Sequence, residues 1–265
     1  MNRPADDSVV NSRAFQLALG ATLLVAMFML TLSLGRPRPQ FPSLPDFTSF
    51  TRIDDRKAAF FDYLTPIVQY YNTRILADRR HLLRLSSTVA AADDKLSWVD
   101  AMWLQQLAEQ YAVVWNDDDP DDVIRKLIRR VDIIPVPLVL VQAAKESSWG
   151  QSRFAVEAHN LFGQWCFHQG CGVEPDQRPA GAKHEVRRFK TASESVHSYL
   201  QNLNSHDSYA DLRRIRQQLR DQQRPITAIA LANGLSLYSE RREAYVQEIK
   251  SMIAQYRKFQ RTRAD

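Results

Sequence analysis

The feature that most constrains this chain is an unbroken apolar run at residues 14–34, AFQLALGATLLVAMFMLTLSL, which carries no ionisable side chain over 21 residues. Wound as an α-helix it would be about 31 Å long, matching a hydrocarbon core of about 30 Å. A core helix shows a polar face somewhere on its circumference, whereas every face here is apolar, so a membrane-spanning helix is predicted. A cleaved signal peptide is the rival reading. The run is longer than a usual signal core, and Gly35-Arg36-Pro37-Arg38-Pro39 follows it instead of a small-x-small cleavage site. An uncleaved anchor at 14–34 behind a cytoplasmic tail at 1–13 is therefore expected. Arg3 and Arg13 before the run balance Arg36 and Arg38 after it, so positive charge leaves the orientation open.

The two cysteines bear on the compartment. Cys166 and Cys171 sit in Trp165-Cys-Phe-His-Gln-Gly-Cys171-Gly172. Two thiols are too few for a structural zinc site unless a histidine such as His168 or His184 completes it, and neither zinc-finger nor Cys-x-x-Cys redox spacing is present. A disulfide stapling a short Gly-containing loop is expected, with no metal, and it places the domain outside the cytoplasm. The formal charge is +5, and residues 178–224 hold ten Lys/Arg against five Asp/Glu. Such a run is ordinarily a solvated helical face, but it also attracts an acidic polymer. Nucleic acid is not expected, since no zinc-finger or other nucleic-acid signature appears.

Pro37, Pro39, Pro42 and Pro45 make residues 35–50 read as an extended stalk. Helical spacing then takes over, with a helix over 56–84 carrying Phe60, Tyr63, Leu64, Ile67, Tyr70 and Tyr71, and another over 97–111. Residues 116–122, Asn-Asp-Asp-Asp-Pro-Asp-Asp, superficially suggest a calcium loop. They lack the required Gly and Glu, and they read as the acidic N-terminus of a helix over 121–131. Pro135 and Pro137 open a strongly apolar helix over 136–147. Residues 148–190 read as loops with a short hairpin near 185–189. Helical spacing returns after Thr191 with Val196, Tyr199, Leu200 and Leu203, and further helices are expected over 209–218, 226–231 and 240–259. The predicted organisation is a helical region over 51–131 followed by a second domain over 132–259.

Glu146 closes the apolar helix, where the dipole disfavours a carboxylate. Trp149, three residues on, would lie beside it if the helix continued. Low dielectric and a negative helix end raise a carboxyl pKa, and a carboxyl that keeps its proton near neutral pH is what a glycosidase acid needs. The same residue could equally be a helix-end Glu paired with an arginine.

The words around it carry more. Ala143-Ala144-Lys145-Glu146-Ser147-Ser148-Trp149-Gly150, then Ser152-Arg153-Phe154, then Asn160-Leu161-Phe162-Gly163, resemble the signature of the glucosaminidase family of the lysozyme-like superfamily (glycoside hydrolase family 73). The resemblance extends to Phe189, Glu194-Ser195, Tyr199, Leu203, Leu237-Tyr238, Tyr245 and Ile249, over roughly residues 134–253. Gly163-Gln164-Trp165-Cys166, Gly170-Cys171-Gly172 and His184-Glu185-Val186 followed by Phe189 are similar to the bacterial Bax-type proteins in particular.

The resemblance implies a mainly α (α+β) fold: a lysozyme-like helical domain with a small β-hairpin lobe and a groove between them. It implies Glu146 as general acid in hydrolysis of N-acetylglucosaminyl β-1,4 bonds of peptidoglycan glycan strands, with no cofactor. The implied location is the bacterial inner membrane, single-pass, with the C-terminal domain in the periplasm. For a second carboxylate, Glu185 fits the Bax-type word and Glu174 lies a comparable distance ahead of Phe189; either could instead be a solvated loop residue, leaving the substrate acetamido group to assist. Tyr238 matches the family's tyrosine, as a sugar or water contact or as a core residue. Trp149 and Trp165 could stack on sugars, and Asn160 and Phe162 line the groove as a turn. A lytic transglycosylase on the same scaffold, or a non-catalytic wall-binding module, are the alternatives.

Overall fold

The computed structural model describes residues 20, 40–91, 96–176, 181 and 183–264. The expected anchor at 14–34 lies outside them apart from Gly20, and so does the tail at 1–13. Among the described residues no helix is long and apolar enough to cross a membrane. Residues 43–265 form one compact unit. The two regions that the sequence separates at 131/132 share that unit.

Nine α-helices are described: α1 (Ile53–Ala91), α2 (Trp98–Gln110), α3 (Pro120–Arg130), α4 (Val136–Glu146), α5 (Arg153–Ala158), α6 (Ala192–Ser205), α7 (Ala210–Asp221), α8 (Ala228–Ala232) and α9 (Glu243–Ala264). Polar caps set the starts. Ser97, Asp119, Ser152, Thr191 and Thr227 each accept a backbone N–H of the first turn, satisfying donors that the helix itself leaves unpaired. Thr191 is reinforced by Glu194, whose carboxylate accepts the Lys190 N–H at 3.0 Å.

α4 is the central element, packed by α1, α8 and α9. Leu138, Val139, Leu140, Val141, Ala143 and Ala144 are all buried. Burying a Leu or Val side chain stabilises by about 1.5–3 kcal/mol, enough to offset a backbone ordering cost of about 1–2 kcal/mol per residue. Polar pins fix where α4 begins. The buried Asn72 side chain of α1 donates to the Ile134 carbonyl at 2.8 Å and accepts the Ile134 N–H at 3.2 Å, as a neighbouring strand would.

Two residues earlier, Asp132 is the centre of a buried ionic hub. Arg220 meets both its oxygens, at 2.8 and 3.0 Å, and the Arg79 and Arg216 guanidinium groups lie 3.6 and 3.9 Å away. Arg216 also donates to the carbonyls of Arg129, Arg130, Asp132 and Ile133 and to the Asn204 side chain. α1, α3, α6 and α7 are thereby tied to the segment that feeds α4.

The sheet has order β1-β3-β2, with β1 Trp165–Cys166, β2 Gly172–Val173 and β3 Glu185–Arg187, both pairings antiparallel. The sequence predicts a hairpin near 185–189. In the structure β3 is instead the middle strand, and its partners come from 165–166 and 172–173. Gly172 is required there, because a Cβ would sit 2.0 Å from the Val186 carbonyl oxygen.

The stalk expectation is corrected at its C-terminal end. Asp46 caps a short 3-10 turn at Phe47–Ser49, and Phe47 is 1% exposed. Its ring packs edge-on against Phe60 and Tyr63 of α1, and Gly150 leaves it room, since a Cβ there would fall 2.3 Å from the ring. Prolines predict an extended backbone, but they do not register one large aromatic that a nearby glycine admits to the core. Helix α5 was also not expected; six residues are too few to show a helical period.

Candidate active site

The site forms where α4 stops. The Ser147 hydroxyl donates to the Ala143 carbonyl at 2.6 Å and accepts the Gly150 N–H at 2.8 Å. Ser148, Trp149 and Gly150 then take left-handed backbone conformations, with φ of 50°, 61° and 79°. The helix therefore does not continue to Trp149. Trp149 packs edge-on against Phe60 and Phe61 of α1, under the Lys57 ammonium.

Glu146 is left half-buried at the helix end. The Tyr245 hydroxyl, from α9, donates to its Oε1 at 2.9 Å. Tyr245 in turn accepts from Gln142 Nε2 at 2.9 Å, and the Tyr199 hydroxyl, from α6, donates to Gln142 Oε1. Among the described residues Oε2 of Glu146 has no hydrogen-bond partner and is not sealed from solvent. No arginine pairs with it among those residues, and the adjacent Lys145 is taken up by Glu248 at 2.6 Å, which also binds Arg241 at 2.8 Å.

Burial pushes the Glu146 carboxyl above its ordinary pKa, with Glu248 adding to the rise. The bond from Tyr245 and the charge of Lys145 oppose it without cancelling it. Burial also raises the phenols of Tyr199, Tyr209, Tyr238 and Tyr245, so all remain neutral hydrogen-bonding groups. A carboxyl with raised proton affinity and one oxygen without a hydrogen-bond partner among the described residues is suited to deliver a proton to a leaving oxygen.

The other expected site residues lie around this centre in different states. Tyr238 stacks on Tyr245 at 5.3 Å and donates to the Phe162 carbonyl at 3.2 Å, clamping the turn at 160–163. Phe162 is buried face to face with Tyr199 at 3.9 Å. Asn160 is 1% exposed, and its amide serves backbone groups of Phe162, Gln164 and Arg187, joining the helical part to the sheet. Trp165 is 57% exposed and stacks on His184 at 4.2 Å, an aromatic pair on the surface of the small sheet.

Glu185 is buried, and its two carboxylate oxygens accept the N–H groups of Gly170 and Gly172 at 2.9 and 2.7 Å. It therefore holds the loop closed by the Cys166–Cys171 disulfide, the bond expected from the sequence, whose Cα atoms are 6.2 Å apart. Those sulfurs approach Glu185 closely enough to suggest a metal cluster, but they are bonded to each other and offer no thiolate. Glu174 is exposed just beyond β2.

Three members of the network were not singled out as site residues from the sequence: Gln142, Tyr199 and Tyr245. Gln142 did carry a signal. It is the one polar residue in the run from Leu138 to Ala144, one helical turn before Glu146 and fully buried. A buried amide needs partners, and here they lead to the acid.

The family described as "Glucosaminidase: Mannosyl-glycoprotein endo-beta-N-acetylglucosaminidase" matches residues 121–258, a stretch that contains the whole network. Protein bax of Escherichia coli (strain K12) is 32% identical over 203 residues, covering 77% of this chain and 70% of that protein. No solved structure matches. With a family match over more than half of its length and this identity to a Bax-type relative, the chain belongs to the glucosaminidase family as a Bax-type protein.

Proposed function

We propose that the chain is a peptidoglycan hydrolase that cleaves N-acetylglucosaminyl β-1,4 bonds, with Glu146 as general acid. The observation that carries the reading is the state of that carboxyl: half-buried, raised in proton affinity, unpaired with any cation among the described residues, and held on one oxygen by Tyr245. In the step proposed, the bond between the anomeric carbon and the bridging oxygen breaks. Its electron pair goes to the oxygen, which takes the proton of Glu146. The oxocarbenium-like sugar is then captured by water, whose proton restores the acid.

Glu185 spends both oxygens on loop amides, which favours assistance by the substrate acetamido group over a second protein carboxylate. The same observation favours the second reading, a lytic transglycosylase, in which a hydroxyl of the sugar itself captures the cation. Exposed Trp165 with His184 suits stacking on a sugar face. The apolar run at 14–34 and the disulfide suit a membrane-anchored domain on the extracytoplasmic side.

The test is Glu146→Gln on purified sacculi. Release of reducing ends should vanish while the melting temperature stays near that of the wild type, and full retained activity would refute the assignment. Mass spectrometry of the wild-type products separates hydrolysis from anhydro-muramyl ends. If the protein binds sacculi and releases no fragments, it is a binding module.

A further inference from the structure

The hydrogen bonds behind Glu146 run in one direction. Tyr199 donates to Gln142, Gln142 donates to Tyr245, and Tyr245 donates to Glu146 Oε1. Each link constrains the next. An amide has an acceptor end and a donor end, so Tyr199 on the oxygen turns the Gln142 NH2 group toward Tyr245. A phenol has one proton; with its oxygen accepting from Gln142, it directs that proton to Glu146. The reverse chain would need Gln142 to present its oxygen to Tyr245. Tyr245 would then point its proton away from Glu146, and the acid would donate its own proton to the phenol.

We infer that Gln142 is a positioning residue that, with Tyr199, keeps the proton of Glu146 on Oε2, the oxygen left open for the glycosidic bond. The inference rests on Glu146 being the acid, as proposed above. Oε1 receives the Tyr245 proton, so the carboxyl's own proton resides on the other oxygen. When that proton leaves for the bridging oxygen, Glu146 becomes a carboxylate. The Tyr245 bond then becomes charge-assisted and strengthens, so the relay stabilises the transition state more than the ground state. Gln142 is buried and touches no solvent, consistent with acting through Tyr245 and not on substrate.

Other charges around the acid are already fixed. Lys145 from α4 and Arg241 from the segment before α9 are both bound to Glu248 of α9, and Tyr199, Tyr209 and Tyr238 are neutral. A change at position 142 is thus read at Glu146 without rearranging another ion pair.

The experiment measures kcat and KM against pH on solubilised glycan for the full chain and for Gln142→Glu, Gln142→Met and Tyr199→Phe. A carboxylate at 142 accepts from both phenols and reverses the chain while keeping the size of the side chain. Gln142→Glu is expected to lose roughly tenfold or more in kcat, with KM little changed and the alkaline limb of the profile displaced upward. Gln142→Met, which leaves Tyr245 unguided without adding charge, should lose kcat by a smaller factor, and Tyr199→Phe by less again.

A Gln142→Glu protein with wild-type kcat and an unmoved alkaline limb overturns the relay. If that variant does not fold, Gln142→Met at an equal melting temperature decides, and unchanged kcat overturns it. A lowered melting temperature with an unchanged pH profile means a structural amide only, which also overturns it. Activity surviving in Glu146→Gln defeats the acid assignment instead, whereas an inactive Glu146→Gln beside wild-type-like Gln142 variants defeats the relay alone.

Discussion

Asp132→Asn removes one charge from the hub and almost nothing from its shape. The wild-type carboxylate is buried with Arg216 at 1% exposure and Arg79 at 7%, and Arg220 holds both its oxygens. Neutralising it leaves these guanidinium groups facing one another without their counter-charge, only partly compensated by the carbonyls of Arg129, Arg130 and Ile133. Removing one partner of a buried ion pair costs about 3–5 kcal/mol. For a unit of this size each kcal/mol shifts the melting temperature by about 2–4 °C, so a fall of roughly 6–20 °C is expected.

The same substitution should alter the pH dependence of stability. Burial pushes the Asp132 carboxyl up, but the Arg220 hydrogen bond and the charges of Arg216 and Arg79 outweigh it, so its folded pKa lies below the ordinary value. A depressed carboxylate contributes stability above its unfolded pKa of about 3.9 and loses it as pH falls through the folded value. Circular-dichroism melts of both proteins should therefore be far apart at neutral pH and converge in acid below about pH 4. A loss under about 1 kcal/mol at neutral pH, or parallel curves into acid, would refute the argument that this charge holds the hub.

Two further perturbations probe the site and its support. Tyr245→Phe deletes a bond that favours the charged form of Glu146. The acid's affinity for its proton rises, so the alkaline limb of the activity profile should move up while kcat falls about tenfold; an unmoved limb counts against the contact. Gly150→Ala places a methyl 2.3 Å from the Phe47 ring at a φ of 79°, and an unfolding titration should show a loss of about 1–3 kcal/mol together with faster proteolysis within residues 40–50. Unchanged cleavage would mean that Phe47 is not held by that turn.

The helices were legible because their signals are local. Apolar spacing, with the acidic run ahead of α3, located α2, α3 and α6 to within a few residues, and the apolar content of α4 announced its burial. Phe47 and Trp149 were not, because Phe47 depends on the room left by Gly150, and Trp149 on Phe60 and Phe61, all far away along the chain. The sequence word around Glu146 assumed a helix that runs on, while three consecutive left-handed residues turn it off. Glu185 was chosen as a candidate because its word matches a family pattern, and a pattern cannot tell an acid facing a cleft from one gripping two amides of a loop. Glu146 was singled out from chemistry and motif together, and the structure leaves it half-buried at the end of α4 with Tyr245 on one oxygen. Gln142 was visible only as an oddity, a lone amide among aliphatics, whose meaning needed Tyr199 and Tyr245 brought from α6 and α9.

The reach of the Asp132 hub has a practical side. Family boundaries open at residue 121, yet Arg79 and Asn72 belong to a helix that precedes them, and Leu64, Ile67, Val68 and Leu82 on that helix are completely covered. Excising the enzyme at the borders of its homology would bare that greasy seam and orphan Asp132 on one side. The matched region leans on residues that precede it, so a fragment meant to keep its shape has to include the helix that carries Asn72 and Arg79.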